Sequence, residues 1–326
     1  MKAKILGTGR AVPARVLTNQ DLEHIVDTTD EWITTRTGIK RRYIAAPEEA
    51  LTDLAVPASQ QALEMAGVDG SEVDLVICAT VTPDMTFPAA ATQIQDRIGA
   101  KGAAAFDVSA ACTGFIYALS IAQQFLENGG ARTALIIGGE VLSKFIDWTD
   151  RSTCVLFGDG AGAAVLRAEE DGESGVLGTV LHSDGCLGDL IYRPGGGSKH
   201  PPSKELDAGN LNFIKMRGNE TFRVAVRSMA EVSREMLEKA GLAAEDVRWF
   251  IPHQANLRII DAVRERLDVP EERVYVNVKD YGNTSAASIP IALDELNRNG
   301  KLDPGDLVLF AAFGAGLTWG AGAVRW

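Results

Sequence analysis

The sequence predicts an α/β protein built of two related halves, and three observations predict it. The 326-residue chain is 46% hydrophobic and 23% charged, the balance of a soluble globular protein with room for two packed units or one large one. Residues 63–77, LEMAGVDGSEVDLVI, align without a gap on residues 237–251, LEKAGLAAEDVRWFI, at an offset of 174. Each copy reads as a helix end, a glycine C-cap, an acidic turn and a buried strand, the alternation from which α/β sheets are made. A second echo sets Val155-Leu156-Phe157 and GDGAGAAV against Val308-Leu309-Phe310 and AAFGAGLTWGAGAV. The halves fall at about 1–172 and 173–326, with no proline-rich linker between them. The polar stretch SKHPPSKELDAGN (198–210) reads as an excursion.

At the N-terminus, MKAKILGTGR is too short and too glycine-rich for a secretory apolar region. The four cysteines, Cys78, Cys112, Cys154 and Cys186, form no CxxC pair, which fits free thiols in a reducing cytoplasm. Cys78 and Cys154 lie in apolar, strand-like runs and read as core; Cys186 is a loop thiol with no evident activator. A net charge of −12 disfavours general nucleic-acid binding, and any acidic partner needs a local basic patch.

Ligands of α/β sheets gather beyond the carboxyl ends of strands, and three segments place a polar residue there. In FDVSAACTGFIYAL (106–119), a strand end and an apolar helix flank a run of small residues with Cys112 in its middle. A thiol at a helix N-terminus faces unpaired N–H groups that favour the thiolate; a buried structural cysteine is the alternative. In VRWFIPHQANLRII (247–260), His253 follows a strand while Asn256 and Arg258 open a helix. In VYVNVKDYGNTSAAS (274–288), Asn283 follows a strand and a glycine turn and precedes a helix of small residues, where a simple N-cap is the competing reading. Residues 307–324 carry no charge, but their glycines fit two buried strands joined by a turn better than a membrane span.

At these loops the sequence resembles the β-ketoacyl-[acyl-carrier-protein] synthase III family of the thiolase superfamily. The resemblance runs over essentially the whole chain through TTDEWITTRTGIKRRY, DVSAACTGF, DRSTCVLFGDGAGA, GNETFRVAV, PHQANLRII, YGNTSAAS and FGAGLTWG. It implies a thiolase-like fold, two duplicated βαβαβ halves packed as a five-layered αβαβα body, a homodimer, and a catalytic Cys112–His253–Asn283 triad. It further implies an oxyanion hole from the Cys112 and Ala315 amides, and coenzyme A contacts from Trp32, Arg36, Arg151 and Asn256. An acyl pocket would be shaped by Phe87, Leu142, Phe157 and Phe313, with Phe87 reaching across the dimer. Carrier-protein contacts would come from Gln254 and Arg258, with Arg223, Arg227, Arg264 and Arg266 nearby. The partners it implies are an acyl-CoA and a malonyl-acyl carrier protein, with no cofactor, metal, nucleic acid or membrane.

The residue types suit that chemistry. A thioester acyl group parked on sulfur needs a soft nucleophile, and its carbonyl oxygen needs N–H donors in the tetrahedral intermediate. A carboxamide donates to a developing enolate without repelling it. Taken alone, Trp32 is also a helix packing residue, and the arginines are also an ordinary solvated face. Thiolysis is disfavoured because FGAGLTWG lacks the second cysteine that thiolases use. A nucleotide P-loop is disfavoured because FGDGAGAA lacks a Gly-Lys-Ser/Thr tail. A related condensing or acyl-transfer enzyme of specialised metabolism stays open as an alternative.

Overall fold

Runs of Val, Ile, Leu and Ala separate helices of matching apolar character, and in the computed structural model, which describes residues 1–170, 174–203 and 210–326, they form two main sheets. The first contains β1 (Lys2–Ala11), β2 (Leu75–Ala79), β3 (Ala104–Val108), β4 (Thr133–Glu140) and β5 (Gly160–Glu169), in the order β1-β5-β4-β2-β3. The second contains β6 (Gly175–Ser183), β7 (Trp249–Pro252), β8 (Leu307–Gly314) and β9 (Thr318–Arg325), in the order β7-β8-β9-β6. Strand β2 runs parallel to both β3 and β4, and β7 runs parallel to β8; the other neighbours are antiparallel.

The helices used below are α1 (Asp30–Thr37), α2 (Leu51–Ala66), α3 (Ala90–Arg97), α4 (Gly114–Glu127), α5 (Gly218–Lys239), α6 (Leu257–Leu267) and α7 (Ser288–Arg298). Side-chain alternation along the strands assigns them to layers. Leu75, Ile77, Ala134 and Ile136 of the first sheet meet Val308 and Phe310 of the second across α4 and α7. The opposite faces, Val76, Cys78, Leu135 and Ile137, pack on α2 and α3. Leu307 and Leu309 pack on α5 and α6. The result is the αβαβα order expected. Burial of Phe115, Ile116 and Leu119 of α4 in the middle layer contributes roughly 1.5–3 kcal/mol each.

The offset of 174 in sequence recurs in three dimensions: it separates the starts of β2 and β7, both ends of β4 and β8, and the starts of α4 and α7. It also separates the short 3₁₀ turns Ala111–Thr113 and Ser285–Ala287, each opened by a residue at positive φ, 46° for Ala111 and 51° for Ser285. The boundary expected at 172/173 and residues 204–209 of the polar excursion lie outside the described residues.

Three expectations are corrected. The echo of 155–157 with 308–310 is not structural: Val308–Phe310 lie in β8, the counterpart of β4, whereas Val155–Phe157 precede β5. Cys154 is buried as expected but closes the short helix Arg151–Cys154, not a strand. The strand expected ahead of Asn283, in the segment that begins at Val274, is reduced to one bridge, Phe250 to Val274. The Gln254 side chain replaces the missing ladder, accepting from the Asn277 and Val278 amides at 2.9 and 3.2 Å and donating to Tyr275 O at 3.1 Å. Residues 307–324 form the β8–β9 antiparallel pair, as expected.

Candidate active site

A cavity of about 1420 Å³ runs from Trp32 and Arg36 of α1 to Cys112, His253 and Asn283. The last three arrive on the loops after β3, after β7 and before α7. Close packing brings the loops together. A Cβ on Gly314 would lie 2.7 Å from the Cys112 amide nitrogen, so glycine alone lets the end of β8 approach the Cys112 turn. Thr318 then ties the two: its Oγ1 lies 3.0 Å from Ala110 O and 3.2 Å from Ala315 O, while Thr113 Oγ1 donates to Thr318 O at 3.1 Å. Cys112 and Ala315 both line the cavity at this junction.

The donor set follows from hydrogen-bond accounting. Asn283 Oδ1 accepts from the Ser285 amide at 2.9 Å, which fixes the carboxamide orientation and leaves Nδ2 without a partner among the described residues, at the cavity. His253 Nδ1 lies 2.7 Å from Ser288 Oγ, and that oxygen also accepts from the Gln254 amide at 3.3 Å. Among the described residues Nδ1 is the one acceptor within reach of the Ser288 hydroxyl proton, which assigns the proton of the neutral ring to Nε2. Burial lowers the His253 pKa to about 3, so the imidazole stays neutral through the ordinary working range.

Cys112 departs from expectation. It is part-exposed to the cavity, but its sulfur is surrounded by protein, and burial pushes the thiol up to about 12. The Ser285 side chain and the Cys112 amide beside the sulfur pull the other way, while the nearby Glu140 charge adds to the rise. The helix-terminus argument named a real influence, but desolvation outweighs it. At neutral pH Cys112 is therefore a thiol.

Most of the expected binding residues come together. Trp32, Arg36, Asn256 and Arg258 line one end of the cavity, and Leu142, Phe157 and Phe313 line its wall. Asn256 caps α6, accepting from the Arg258 amide at 2.9 Å and donating to Arg36 O at 3.1 Å. The Arg151 guanidinium lies over the Trp32 ring at 4.9 Å, with Arg36 at 5.2 Å. Phe87 is 81% exposed and does not line the cavity of its own chain. Arg223, Arg227 and Arg266 line a neighbouring depression with Glu265, while Arg264 pairs with Asp261 and Glu265.

Gln254 is the clear correction. At 1% exposure, with both polar atoms committed to backbone partners, its side chain cannot meet a docking protein; it holds the chain that leads to Asn283. Replacing it with leucine strands those backbone groups at about 1–3 kcal/mol each, so Gln254→Leu is expected to move the urea midpoint sharply downward. An unchanged midpoint would contradict this structural role. Sequence reasoning also missed Glu140, Ser285, Ser288 and Thr318. Only Glu140 carried a signal, a carboxylate ending the otherwise uncharged strand TALIIGGE.

Comparisons with known proteins point to one family. The model of 3-oxoacyl-[acyl-carrier-protein (ACP)] synthase III matches residues 106–185, and that of its C-terminal region matches residues 237–326. The β-ketoacyl-[acyl-carrier-protein] synthase III of Caldanaerobacter subterraneus subsp. tengcongensis is 55% identical, over 99% of this chain and 98% of the relative. The crystal structure of 3-oxoacyl-[acyl-carrier-protein] synthase III from Aquifex aeolicus superposes with a TM-score of 0.93 at 53% identity, covering 99% of this chain and 100% of that one. A priming β-ketosynthase of the R1128 polyketide pathway superposes at 0.92 with 41% identity, covering 99% and 96%. With more than half its residues shared with full-length relatives, the chain belongs to the β-ketoacyl-[acyl-carrier-protein] synthase III family.

Proposed function

We propose that Cys112, His253 and Asn283 are the catalytic residues of this chain, which as a family member is the initiating condensing enzyme of fatty acid synthesis and an acyltransferase. The observation that carries the assignment is the convergence of one thiol and two free N–H donors, His253 Nε2 and Asn283 Nδ2, on one cavity. In the first half-reaction, Cys112 sulfur attacks the acyl-CoA carbonyl, the Cys112 and Ala315 amides receive the oxyanion, and CoA leaves with the thiol proton. In the second, malonyl-acyl carrier protein loses CO₂, and the two donors stabilise the enolate oxygen that results. The carbanion attacks the acyl-Cys112 carbonyl, the β-ketoacyl carrier protein departs, and the Cys112 thiolate takes up one proton.

The reading extends to binding. Trp32 and Arg151 receive adenine, Arg36 a phosphate, and Asn256 the pantetheine amides through its remaining lone pair and N–H. At 4.9 Å, Arg151 leaves no space for a flat base between itself and Trp32, so it must swing away on binding. Arg258, with Arg223, Arg227 and Arg266, offers the acidic carrier protein a positive face on an acidic chain. Phe87, 81% exposed, and the unpaired edge strand β3 support a homodimer in which Phe87 enters the acyl pocket of the other chain and shortens it. A cytoplasmic setting is supported by four free cysteines.

Incubating the protein with a panel of acyl-CoAs and measuring the mass gained at Cys112 tests the assignment. Acetyl or propionyl transfer followed by discharge with malonyl carrier protein is expected. Comparable turnover of acetyl-CoA and dodecanoyl-CoA would contradict the short acyl pocket, and sedimentation as a single chain would contradict the dimer. The specialised-metabolism alternative is favoured by the likeness to the R1128 ketosynthase and, at 27% identity, to a tetronic acid condensing enzyme. A preference for primers other than those of fatty acid synthesis would select it.

A further inference from the structure

Both half-reactions move a proton at the Cys112 sulfur, and the triad has no group to move it. His253 already bears a proton on Nε2, a carboxamide is no base, and the resting nucleophile is a thiol. One further polar path leaves the sulfur. Ser285 lines the cavity beside Cys112, and its hydroxyl donates to Glu140 Oε1 at 3.2 Å, which leaves its oxygen as an acceptor toward the thiol. Ser285 holds this place at a φ of 51°, a left-handed conformation that a non-glycine residue adopts at a cost of roughly 1–3 kcal/mol.

Glu140 is wholly buried at the end of β4, with no lysine or arginine paired to it among the described residues. Four donors are aimed at its carboxyl: Thr82 Oγ1 at 2.5 Å, Thr80 Oγ1 and Ser285 Oγ at 3.2 Å, and the Val81 amide at 3.2 Å. So many donors suit a carboxylate, while burial favours the neutral acid. Burial outweighs the donors, and the pKa rises to about 7. The ionisable groups facing it are the thiols of Cys112 and Cys78, with Asp84 and Asp107 beyond Cys78.

We propose that Glu140, acting through the Ser285 hydroxyl, is the proton acceptor and donor for Cys112. On acylation the thiol proton passes to Ser285 Oγ as the Ser285 proton passes to the Glu140 carboxylate, while sulfur forms its bond to the acyl carbon. The C–S bond to CoA then breaks, and the CoA thiolate recovers the proton by the reverse path. After condensation the same path returns a proton, drawn from solvent, to the Cys112 thiolate. Ser285 touches the reacting atom; Glu140 acts through it as a positioning and relay residue. The inference rests on the acylation of Cys112 proposed above.

The test follows single-turnover acylation by mass across pH 5.5–9 in the wild type, Glu140→Gln, Glu140→Asp and Ser285→Ala. Decarboxylation of malonyl carrier protein is measured on the same samples. The wild-type rate is expected to rise with pH as Glu140 loses its proton and to level off above about pH 7. Glu140→Gln is expected to acylate at least tenfold more slowly at pH 7.5 and to lose that inflection. Glu140→Asp should recover part of the rate and an inflection, and Ser285→Ala should match Glu140→Gln. Decarboxylation, which needs only His253 and Asn283, should change less than threefold in Glu140→Gln. A Glu140→Gln profile identical to the wild type, or an inflection that persists in Ser285→Ala, overturns the relay. Failure of the wild type itself to acquire acyl mass at Cys112 overturns the triad instead.

Discussion

Cys112→Ser is expected to yield no acyl adduct and to lose condensation by on the order of 10⁶-fold, the scale on which removal of a covalent nucleophile acts. The serine oxygen fits the same space and keeps a hydrogen bond to Ser285, so the fold is unaffected. What disappears is a nucleophile able to part with its proton inside a buried pocket. Because His253 and Asn283 stay in place, the variant should still decarboxylate malonyl carrier protein, with CO₂ release uncoupled from product. Intact-mass spectrometry and CO₂ release read the two halves separately. An acyl adduct on the variant would mean that another residue is the nucleophile.

The second large effect belongs to Asn283. Asn283→Ala removes the Nδ2 donor and is expected to slow decarboxylation and condensation by about 10²–10³-fold, as for loss of one donor to a developing oxyanion. Acylation of Cys112 should fall only a few-fold. Asn283 also has a structural task, since its Oδ1 accepts from the Ser285 amide. Asn283→Asp separates the two roles, keeping the acceptor while replacing the donor with a charge that repels the enolate. It should therefore lose decarboxylation at least as completely as the alanine variant, yet acylate better. Equal losses in both half-reactions for both variants would remove the division of labour.

The duplicated α/β architecture was legible because its signal is local: a helix end, a glycine cap and a strand repeat at a fixed interval. Cys112, His253 and Asn283 were legible for a related reason, each standing where a strand-like run turns into a loop. The residues that govern them were not. Glu140 and Ser285 are 145 positions apart, and the ordinary serines at 285 and 288 show their roles only when the two halves are docked. Gln254 was given a surface role by the resemblance, which carries no information on burial, whereas here its amide stands in for the hydrogen bonds of an absent strand. The acidity of Cys112 was misjudged because a helix terminus can be read from sequence and the depth of burial around one sulfur cannot.

The positive-φ turns at Ala111 and Ser285 meet at the joint between the halves, and this has a mechanical consequence. Neither sheet contains the reacting centre; only their mutual seating does. Loosening that seam parts sulfur, imidazole and carboxamide while every strand remains paired. As urea is added, turnover should therefore fade at concentrations where far-ultraviolet circular dichroism still reports intact secondary structure.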